Sequence, residues 1–446
     1  MLHPSGPIPG RCRRAGSRAS TAVRARAVGV GLALLAFLAI LTTAVSAKLL
    51  IPMDLTQADH LKAYGAAYHA LQRGEKVEWL LNYRGGSFLL EDTPEAQRDC
   101  IVMGVTSEAA GGAAASAIYD EIERSNMEVV LLEKAPRVAI YAPPNSKNLP
   151  WDDAVNLALT YAEIPFDVIW DPEILDGRIF QYDWVHLHHE DFTGQYGKFF
   201  ASYGSAPWYL EDQRVAETAA HAAGFATVWQ HKHAVARRIR EFVAKGGFLF
   251  AMCSATDSYD IALAAGGVDI VDVPYDGTPP DPHAQERLDF SQGLAFENYH
   301  LVMNPMIYEF SDIDMTEEAA SRGQAADFFT LFDFSAKEDP VPTMLTQCHV
   351  NVVPGFMGQT TSFRRSLLKK ATVILAETEG TDEVKYIHGN YGQGTFTFYG
   401  GHDPEDYQHK VGDPPTDLSL HKNSPGYRLI LNNILFPAAE KKEQKT

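Results

Sequence analysis

Cysteine is scarce in this 446-residue chain, which contains only four: Cys12, Cys100, Cys253 and Cys348. Cys12 falls in an Arg-rich N-terminal leader, so the rest of the chain holds an odd number of thiols that cannot all pair within it. This excludes the disulfide framework that stabilises many small secreted domains. At least one thiol is expected to be free.

Basic residues are also few, with 38 Lys and Arg against 57 Asp and Glu and a formal net charge of −19. Residues 1–47 contain six of the Arg and no acid, which leaves 32 basic and 57 acidic residues after them, a net charge of −25. A body this acidic repels nucleic acid and anionic lipid surfaces. We therefore expect no nucleic-acid partner.

Long apolar runs are missing outside the leader. There, a basic region that ends at Arg26 precedes an uncharged apolar run from Ala27 to Ala47. The run closes with Ala-Val-Ser-Ala, which is typical of a signal-peptidase site and makes 1–47 a signal peptide. An uncleaved membrane anchor is the alternative, since about 20 apolar residues can span a bilayer. Both interpretations predict a periplasmic or extracellular body. Membrane contact is expected only if the segment remains as an N-terminal anchor.

Alternating strand and helix patterns predict an α/β fold. The N-terminal segment 48–135 begins with one β-α-β unit, and residues 136–437 predict a doubly wound, mostly parallel, flavodoxin-like sheet. From 274 to 342 the pattern breaks, which indicates a mixed insertion of loops and extra strands, and 438–446 is a charged tail. The strands expected in the second segment include Val138–Tyr141, Phe166–Trp170, Trp184–His188 and Phe248–Met252.

Cys253 directly follows the apolar strand 248–252 and precedes a predicted helix. A nucleophile on such a sharp turn needs small residues two positions away on each side, and here these are Ala251 and Ala255. A helix N-terminus favours a thiolate and leaves backbone N–H groups free for an oxyanion. The alternative is a small cysteine that closes the core.

His402 follows the predicted strand 395–399 and lies in a polar turn with Asp403 and Glu405. A cysteine nucleophile needs a base, and that base needs an orienting carboxylate. This predicts a catalytic set of Cys253, His402 and Glu405, with Asp403 as the other possible acid. A solvated loop histidine is the alternative.

A third polar group, His186 to Asp191, ends another predicted strand. Ligands bind beyond the carboxyl ends of the strands in open α/β sheets, so the three strand ends are expected to converge. His188, His189 and Glu190 could instead hold a metal, although their spacing is a weak indication and no metal or cofactor is predicted. The expected ligand-binding residues are His188, His189, Glu190, Asp191, Ser254, Asp257 and Asp403.

At these positions the chain resembles the class I glutamine-amidotransferase-like superfamily, and within it the ThuA-like (trehalose utilisation) proteins. Those proteins have a Gly-rich strand leading to His-Ser/Ala-Ala-Thr-Asp, where this chain has Cys253 to Asp257. They also end in a Gly-Lys-Gly hairpin, a strand and Gly-His, matched here by Gly392 to Gly394 and by Gly401 with His402. The resemblance covers roughly 136–437 without the insertion.

The resemblance implies either a cysteine-dependent hydrolase or amidase, or a non-catalytic binding module for a carbohydrate or cell-envelope ligand. Cys253 replaces the usual ThuA-like His and restores the amidotransferase nucleophile. Glutaminases, however, have Gly-x-Cys-x-Gly and His-x-Glu, whereas here Ala251 and Ala255 flank Cys253 and Glu405 lies three residues after His402. Whole-length relatives are sometimes called asparagine synthetase B, but the chain lacks both a cysteine at position 2 and the Ser-Gly-Gly-x-Asp-Ser ATP loop that such an activity requires.

Overall fold

The computed structural model describes residues 47–339 and 342–440, and two β-sheets organise this part of the chain. The leader predicted as signal peptide or anchor, apart from Ala47, and the end of the charged tail fall outside the described residues. No helix among the described residues is both long and apolar enough to span a membrane.

The first sheet has five strands in the order β4-β1-β3-β2-β5, and every neighbouring pair is antiparallel. The expected β-α-β unit is present, but β3 lies between its two strands. Three helices accompany the sheet. The elements are β1 (Lys48–Ile51), α1 (His60–Gln72), β2 (Val77–Leu81), β3 (Ser87–Glu91), α2 (Pro94–Met103), β4 (Glu108–Ala110), α3 (Gly112–Arg124) and β5 (Glu128–Leu132).

The second sheet has ten strands, of which five form a parallel set in the order β7-β6-β8-β9-β15. Antiparallel strands continue the sheet beyond β15, in the order β14-β13-β10-β11, and β12 pairs with β14. The strands are β6 (Val138–Tyr141), β7 (Asp167–Ile169), β8 (Trp184–Leu187), β9 (Phe248–Met252), β10 (Phe328–Leu331), β11 (Val352–Pro354), β12 (Phe363–Arg364), β13 (Val373–Glu377), β14 (Glu383–Tyr391) and β15 (Gly394–Tyr399).

The helices of this second part start where capping residues permit. Pro207 opens α7 because a missing N–H costs nothing in the first turn, and the Thr227 hydroxyl accepts from the Gln230 N–H to begin α8. The helices are α4 (Ala154–Tyr161), α5 (Asp171–Leu175), α6 (Phe200–Tyr203), α7 (Pro207–Ala222), α8 (Val228–Ala244), α9 (Ala255–Ala264), α10 (Val273–Asp276), α11 (Thr316–Arg322) and α12 (Pro425–Leu435).

The predicted insertion 274–342 contains little regular structure beyond α11 and β10, and β10 adds a strand to the large sheet. Its loops are tied to α9 by Asp260, whose buried carboxylate accepts from the backbone N–H groups of Leu294, Ala295 and Phe296. Hydrogen bonds from three backbone groups offset part of the cost of burying this carboxylate, whose pKa burial still raises above its ordinary value.

Alternate residues of β6 face two different cores. Val138 and Ile140 pack with residues of α1, α4 and α12, whereas Ala139 and Tyr141 pack with residues of α8 and α9. The parallel strands are therefore covered on both faces, which explains their continuous apolar sequences. Trp79 of the small sheet belongs to the first core, so packing is continuous across the boundary predicted at 135/136.

Arg428 of α12 joins the C-terminal helix to the N-terminal segment. Its fully buried guanidinium donates to the carbonyls of Met53 (2.9 Å) and Gly85 and to the Tyr64 hydroxyl (3.0 Å). Arg428→Met removes this donor from all three acceptors, of which the Met53 carbonyl keeps its contact with His60 Nε2 at 3.1 Å. We therefore expect the free energy of unfolding to fall by roughly 2 kcal/mol or more in urea titrations. Arg214→Met on exposed α7 is the control and should change it by less than about 0.5 kcal/mol.

Candidate active site at the carboxyl ends of the parallel strands

Strands β9 and β15 are parallel neighbours and end at one edge of the sheet. Cys253 directly follows β9, and His402 lies three residues after the end of β15. The Cys253 N–H donates to the Gly401 carbonyl at 3.1 Å, which joins the two segments directly. The side chains selected from the sequence therefore start from adjacent backbone.

Cys253 occupies a sharp turn between β9 and α9. Its φ of +50° lies in the left-handed region, which is uncommon for a residue with a side chain. Ala251 and Ala255 on either side are both fully buried, so small neighbours do accompany the turn. Its sulfur accepts from the Gln359 backbone N–H at 3.4 Å. Backbone strain of this kind concentrates at functional sites.

The Cys253 side chain reaches a cavity of about 320 Å³. Cys253 is itself only 4% exposed, so the cavity is its route to solvent. His402 and His189 share the wall with it, and three aromatic rings form another part. The lining residues are Trp151, His189, Phe199, Cys253, Tyr308, Thr316, Met357, Gly358, Gln359, His402, Gln408, His409, Lys410 and Val411.

Burial determines the protonation of Cys253. It raises the pKa of the thiol to about 11, and backbone N–H groups of residues 254, 359 and 360 only partly oppose this. The sequence suggested that the start of α9 would favour the thiolate. In the folded chain that effect is outweighed by the loss of solvation, so the thiol is protonated at neutral pH.

The His402 ring is hydrogen-bonded to His188 and faces Asp152 rather than Cys253. Its Nδ1 lies 3.2 Å from His188 Nε2, and its Nε2 lies 4.0 Å from an Asp152 oxygen. Among the described residues no hydrogen bond joins His402 to the Cys253 sulfur. Burial, followed by the neighbouring imidazoles of His188, His409 and His189, lowers the pKa of His402 well below its usual value, so the ring is neutral.

Glu405 does not orient His402. Its carboxylate pairs with His421 at 2.8 Å, because the turn after His402 carries the Glu405 side chain away from the cavity. Asp403 is buried and accepts from the Glu405 N–H at 2.9 Å, which stabilises that turn. The acid that faces His402 is Asp152, in the loop between β6 and α4. The predicted role of Glu405 is corrected accordingly.

Behind His402 lies a buried chain of imidazoles. His186 Nδ1 is 3.1 Å from the Phe250 carbonyl, and His186 Nε2 is 3.2 Å from His188 Nδ1. Asp153 approaches both rings, at 3.5 and 3.4 Å. Burial alone would lower the pKa of His188, but the Asp153 carboxylate raises it above its ordinary value. Burial would raise the pKa of Asp153, but the two imidazoles hold it well below its ordinary value.

The remaining predicted binding residues occupy other places. Glu190 and Asp191 line a neighbouring cavity of about 70 Å³, and burial raises the pKa of Glu190 to about 7. Ser254 and Asp257 are fully buried. Asp257 accepts from the Thr360 hydroxyl at 2.9 Å, so it supports the loop that carries Gln359. His189 is thus the one residue of the predicted binding set, among the described residues, that lines the Cys253 cavity.

Several residues in or beside the cavity wall were not selected from the sequence. Asp152 precedes Asp153, the residue that caps α4, and nothing in the local pattern directs it toward His402. His409 lies seven residues after His402, and that second histidine in a polar loop was an available indication. Gln359 and Trp151 come from loops without any motif. Their positions depend on how distant loops pack over the strand ends.

Comparisons with known proteins place the chain near no characterised group. No family model matches it, and no curated protein does. It is similar to two solved Salmonella typhimurium cytoplasmic proteins: STM1381 (10% identity, TM-score 0.34, covering 68% of this chain and 99% of that one) and STM3548 (10%, 0.32, 69% and 100%). A β-galactosidase from Bacillus circulans sp. alkalophilus matches at 12% identity and a TM-score of 0.24, over 59% of this chain and 28% of that one. Likeness this distant assigns no function.

The raised pKa of Cys253 predicts slow alkylation. At pH 7.5 its thiolate fraction is about 100-fold lower than that of a thiol with an ordinary pKa near 9, and the rate should rise about tenfold per pH unit toward 11. Iodoacetamide labelling followed by peptide mass spectrometry measures this, with the urea-unfolded chain as reference. Fast labelling at pH 7.5 that levels off below pH 9 would contradict the buried, protonated thiol.

Proposed function

We propose that this chain is an exported cysteine-dependent hydrolase of the amidase type, built on a flavodoxin-like, glutamine-amidotransferase-like core. The strand order β7-β6-β8-β9-β15 supports the core, because in chain order it reads second, first, third, fourth, fifth. Helices on both faces of these strands agree with a doubly wound arrangement. The remaining strands are then additions at one edge.

The left-handed backbone of Cys253 is the observation that carries the proposal. It projects a nucleophilic atom from a strand end toward a cavity, with the N–H of Gln359 on the sulfur. In the proposed reaction the sulfur attacks a carbonyl carbon and a thioester forms. The bond to the leaving amine breaks as the amine takes a proton, and water then cleaves the thioester to release the acid and restore the thiol.

His402 is the proposed proton acceptor, because it is neutral and lines the same cavity. In the absence of substrate its nitrogens face His188 and Asp152, so the ring has to turn toward the sulfur before attack. Asp152 takes the place of Glu405 as the proposed acid. Since the thiol is protonated at rest, proton transfer would accompany formation of the carbon–sulfur bond.

Acetylation by p-nitrophenyl acetate in metal-free buffer tests the proposal. The activated ester should place one acetyl group on Cys253, and acid quenching with peptide mass spectrometry identifies the site. Loss of a general base costs about 100-fold or more, so His402→Gln should slow this acetylation to that extent.

Cys348→Ala provides the matched control, because Cys348 is the most exposed thiol among the described residues and lies outside the Cys253 cavity. Its acetylation of Cys253 should match that of the unaltered chain. Acetyl groups found only on Cys348 or on lysines would show that Cys253 is not the nucleophile. An unchanged rate in His402→Gln would remove His402 as the base.

A carbohydrate-binding module is the second candidate, and the aromatic wall favours it. Trp151 and Phe199 stack with ring centroids 5.2 Å apart, and Tyr308 lies 5.7 Å from Phe199. Flat apolar rings with polar groups nearby suit the faces and hydroxyls of a sugar. The two candidates separate in Cys253→Ala, since a binding module keeps its sugar affinity there whereas a hydrolase loses turnover.

Export is proposed from the leader, and the mature N-terminus tests it. We expect mass spectrometry of the protein from its native cells to find a chain that begins at Lys48, because Ala47 ends the cleavage motif. A chain beginning at Met1 in the membrane fraction would instead mean an anchor. A chain beginning at Met1 in the cytosolic fraction would refute export.

A further inference from the structure

His402 and His409 line the Cys253 cavity, and Asp152 lies beside both of them. His409 Nε2 lies 3.2 Å and His402 Nε2 lies 4.0 Å from Asp152 Oδ1, and one potential ligand atom from each residue falls within 4.8 Å of the others. The side chains are 11%, 7% and 4% exposed in chain order. Three donors of the types that transition metals prefer are thus gathered in a nearly dry place.

These atoms have no hydrogen-bond partners. Both Asp152 oxygens, His402 Nε2 and His409 Nε2 are buried without a donor or acceptor. The 3.2 Å approach of His409 to Asp152 is short, yet it does not have hydrogen-bond geometry. Unpartnered buried polar atoms are rare and costly, and four of them around one point require an explanation.

The other nitrogen of His409 determines what faces Asp152. His409 Nδ1 lies 3.1 Å from an Asp406 oxygen, and because a carboxylate only accepts, Nδ1 carries the proton. In the form of the ring that carries a single proton, Nε2 is then a lone pair. A lone pair held 3.2 Å from a carboxylate oxygen is repulsive unless a positive charge lies between them.

A chain of hydrogen bonds leads from the Phe250 carbonyl to His402. The carbonyl requires His186 to donate from Nδ1, so the neutral His186 ring accepts at Nε2 from His188 Nδ1. When His188 Nε2 accepts from His402 Nδ1, the remaining His402 Nε2 is a second lone pair that faces Asp152. The opposite arrangement, in which His188 donates to His402 Nδ1, puts a proton on His402 Nε2 that a bound metal ion would displace.

We propose that Asp152, His402 and His409 bind one Zn²⁺ ion. Bonds of 2.0–2.1 Å in a tetrahedral site separate ligand atoms by roughly 3.3 Å, close to the His409–Asp152 spacing. The His402 and His409 rings are nearly parallel at 16°, so His402 has to tilt to bring its lone pair onto the ion. Asp406, at His409 Nδ1, and His188, at His402 Nδ1, then hold the ligating rings in orientation. The fourth position opens toward the cavity.

This inference goes beyond the proposed function, since the ion is bound whether or not Cys253 reacts. The two do interact, because a coordinated His402 Nε2 cannot also accept the thiol proton. Zn²⁺ should therefore slow the acetylation of Cys253. A proton shared by Asp152 and His409 is the competing explanation, and a site at His188, His189 and His402 is the competing location.

Zinc binding by the chelator-treated full-length chain tests the proposal, with calorimetry for affinity and elemental analysis after gel filtration for stoichiometry. We expect about one zinc per chain, retained in Cys253→Ala. His409→Gln and Asp152→Asn should weaken binding at least about 100-fold. Asp406 contacts the far nitrogen of His409, so Asp406→Asn should weaken zinc binding about 10- to 100-fold. Misfolding would not produce such a graded loss.

The exposed His300–Asp312 pair is the matched control, since its atoms also lie 3.2 Å apart, and His300→Gln should bind zinc like the unaltered chain. No zinc in the unaltered chain would overturn the proposal in favour of the shared proton. Zinc lost in His189→Gln but kept in His409→Gln would overturn it in favour of the other location. Either result leaves the metal-free acetylation assay to judge Cys253 separately.

Discussion

The parallel pairing of β9 with β15 is the constraint on which the site depends. It brings together two segments that are almost 150 residues apart, and the Cys253 N–H completes the contact by donating to Gly401. The start of the pairing requires glycine at 394, because a side chain there would meet the carbonyl oxygens of Gly247 and Val243 at 2.2 and 2.3 Å. Without this close approach, His402 would not reach the edge where Cys253 ends its strand.

Burial then determines the chemistry of the polar groups collected at this edge. It raises the pKa of the Cys253 thiol and lowers that of the His402 imidazole, so both are neutral at rest. Asp153, close to His186 and His188, is held firmly as an anion. The proposed Zn²⁺ would place a positive charge among the unpartnered atoms of Asp152, His402 and His409.

The sequence by itself indicated the parallel strands β6 to β9, although it did not indicate β3 or α2. A short continuous apolar run such as 248–252, preceded by two glycines, favours a strand covered on both faces. The same local rules identified Cys253 and His402, because a polar residue directly after a buried strand has to lie at the sheet edge. Those inferences use the chemistry of neighbouring residues and need no distant contact.

Tertiary structure decided which residues complete the site. Glu405 lies three residues from His402 yet pairs with His421, whereas Asp152, 250 residues earlier, faces the ring. The expected thiolate is likewise absent, because the loop bearing Gln359 encloses the sulfur and removes its water. Loop packing and burial depend on many contacts between residues that are distant in the sequence. Local pattern therefore fixes where a side chain begins, and only the folded chain fixes what it faces and which charge it carries.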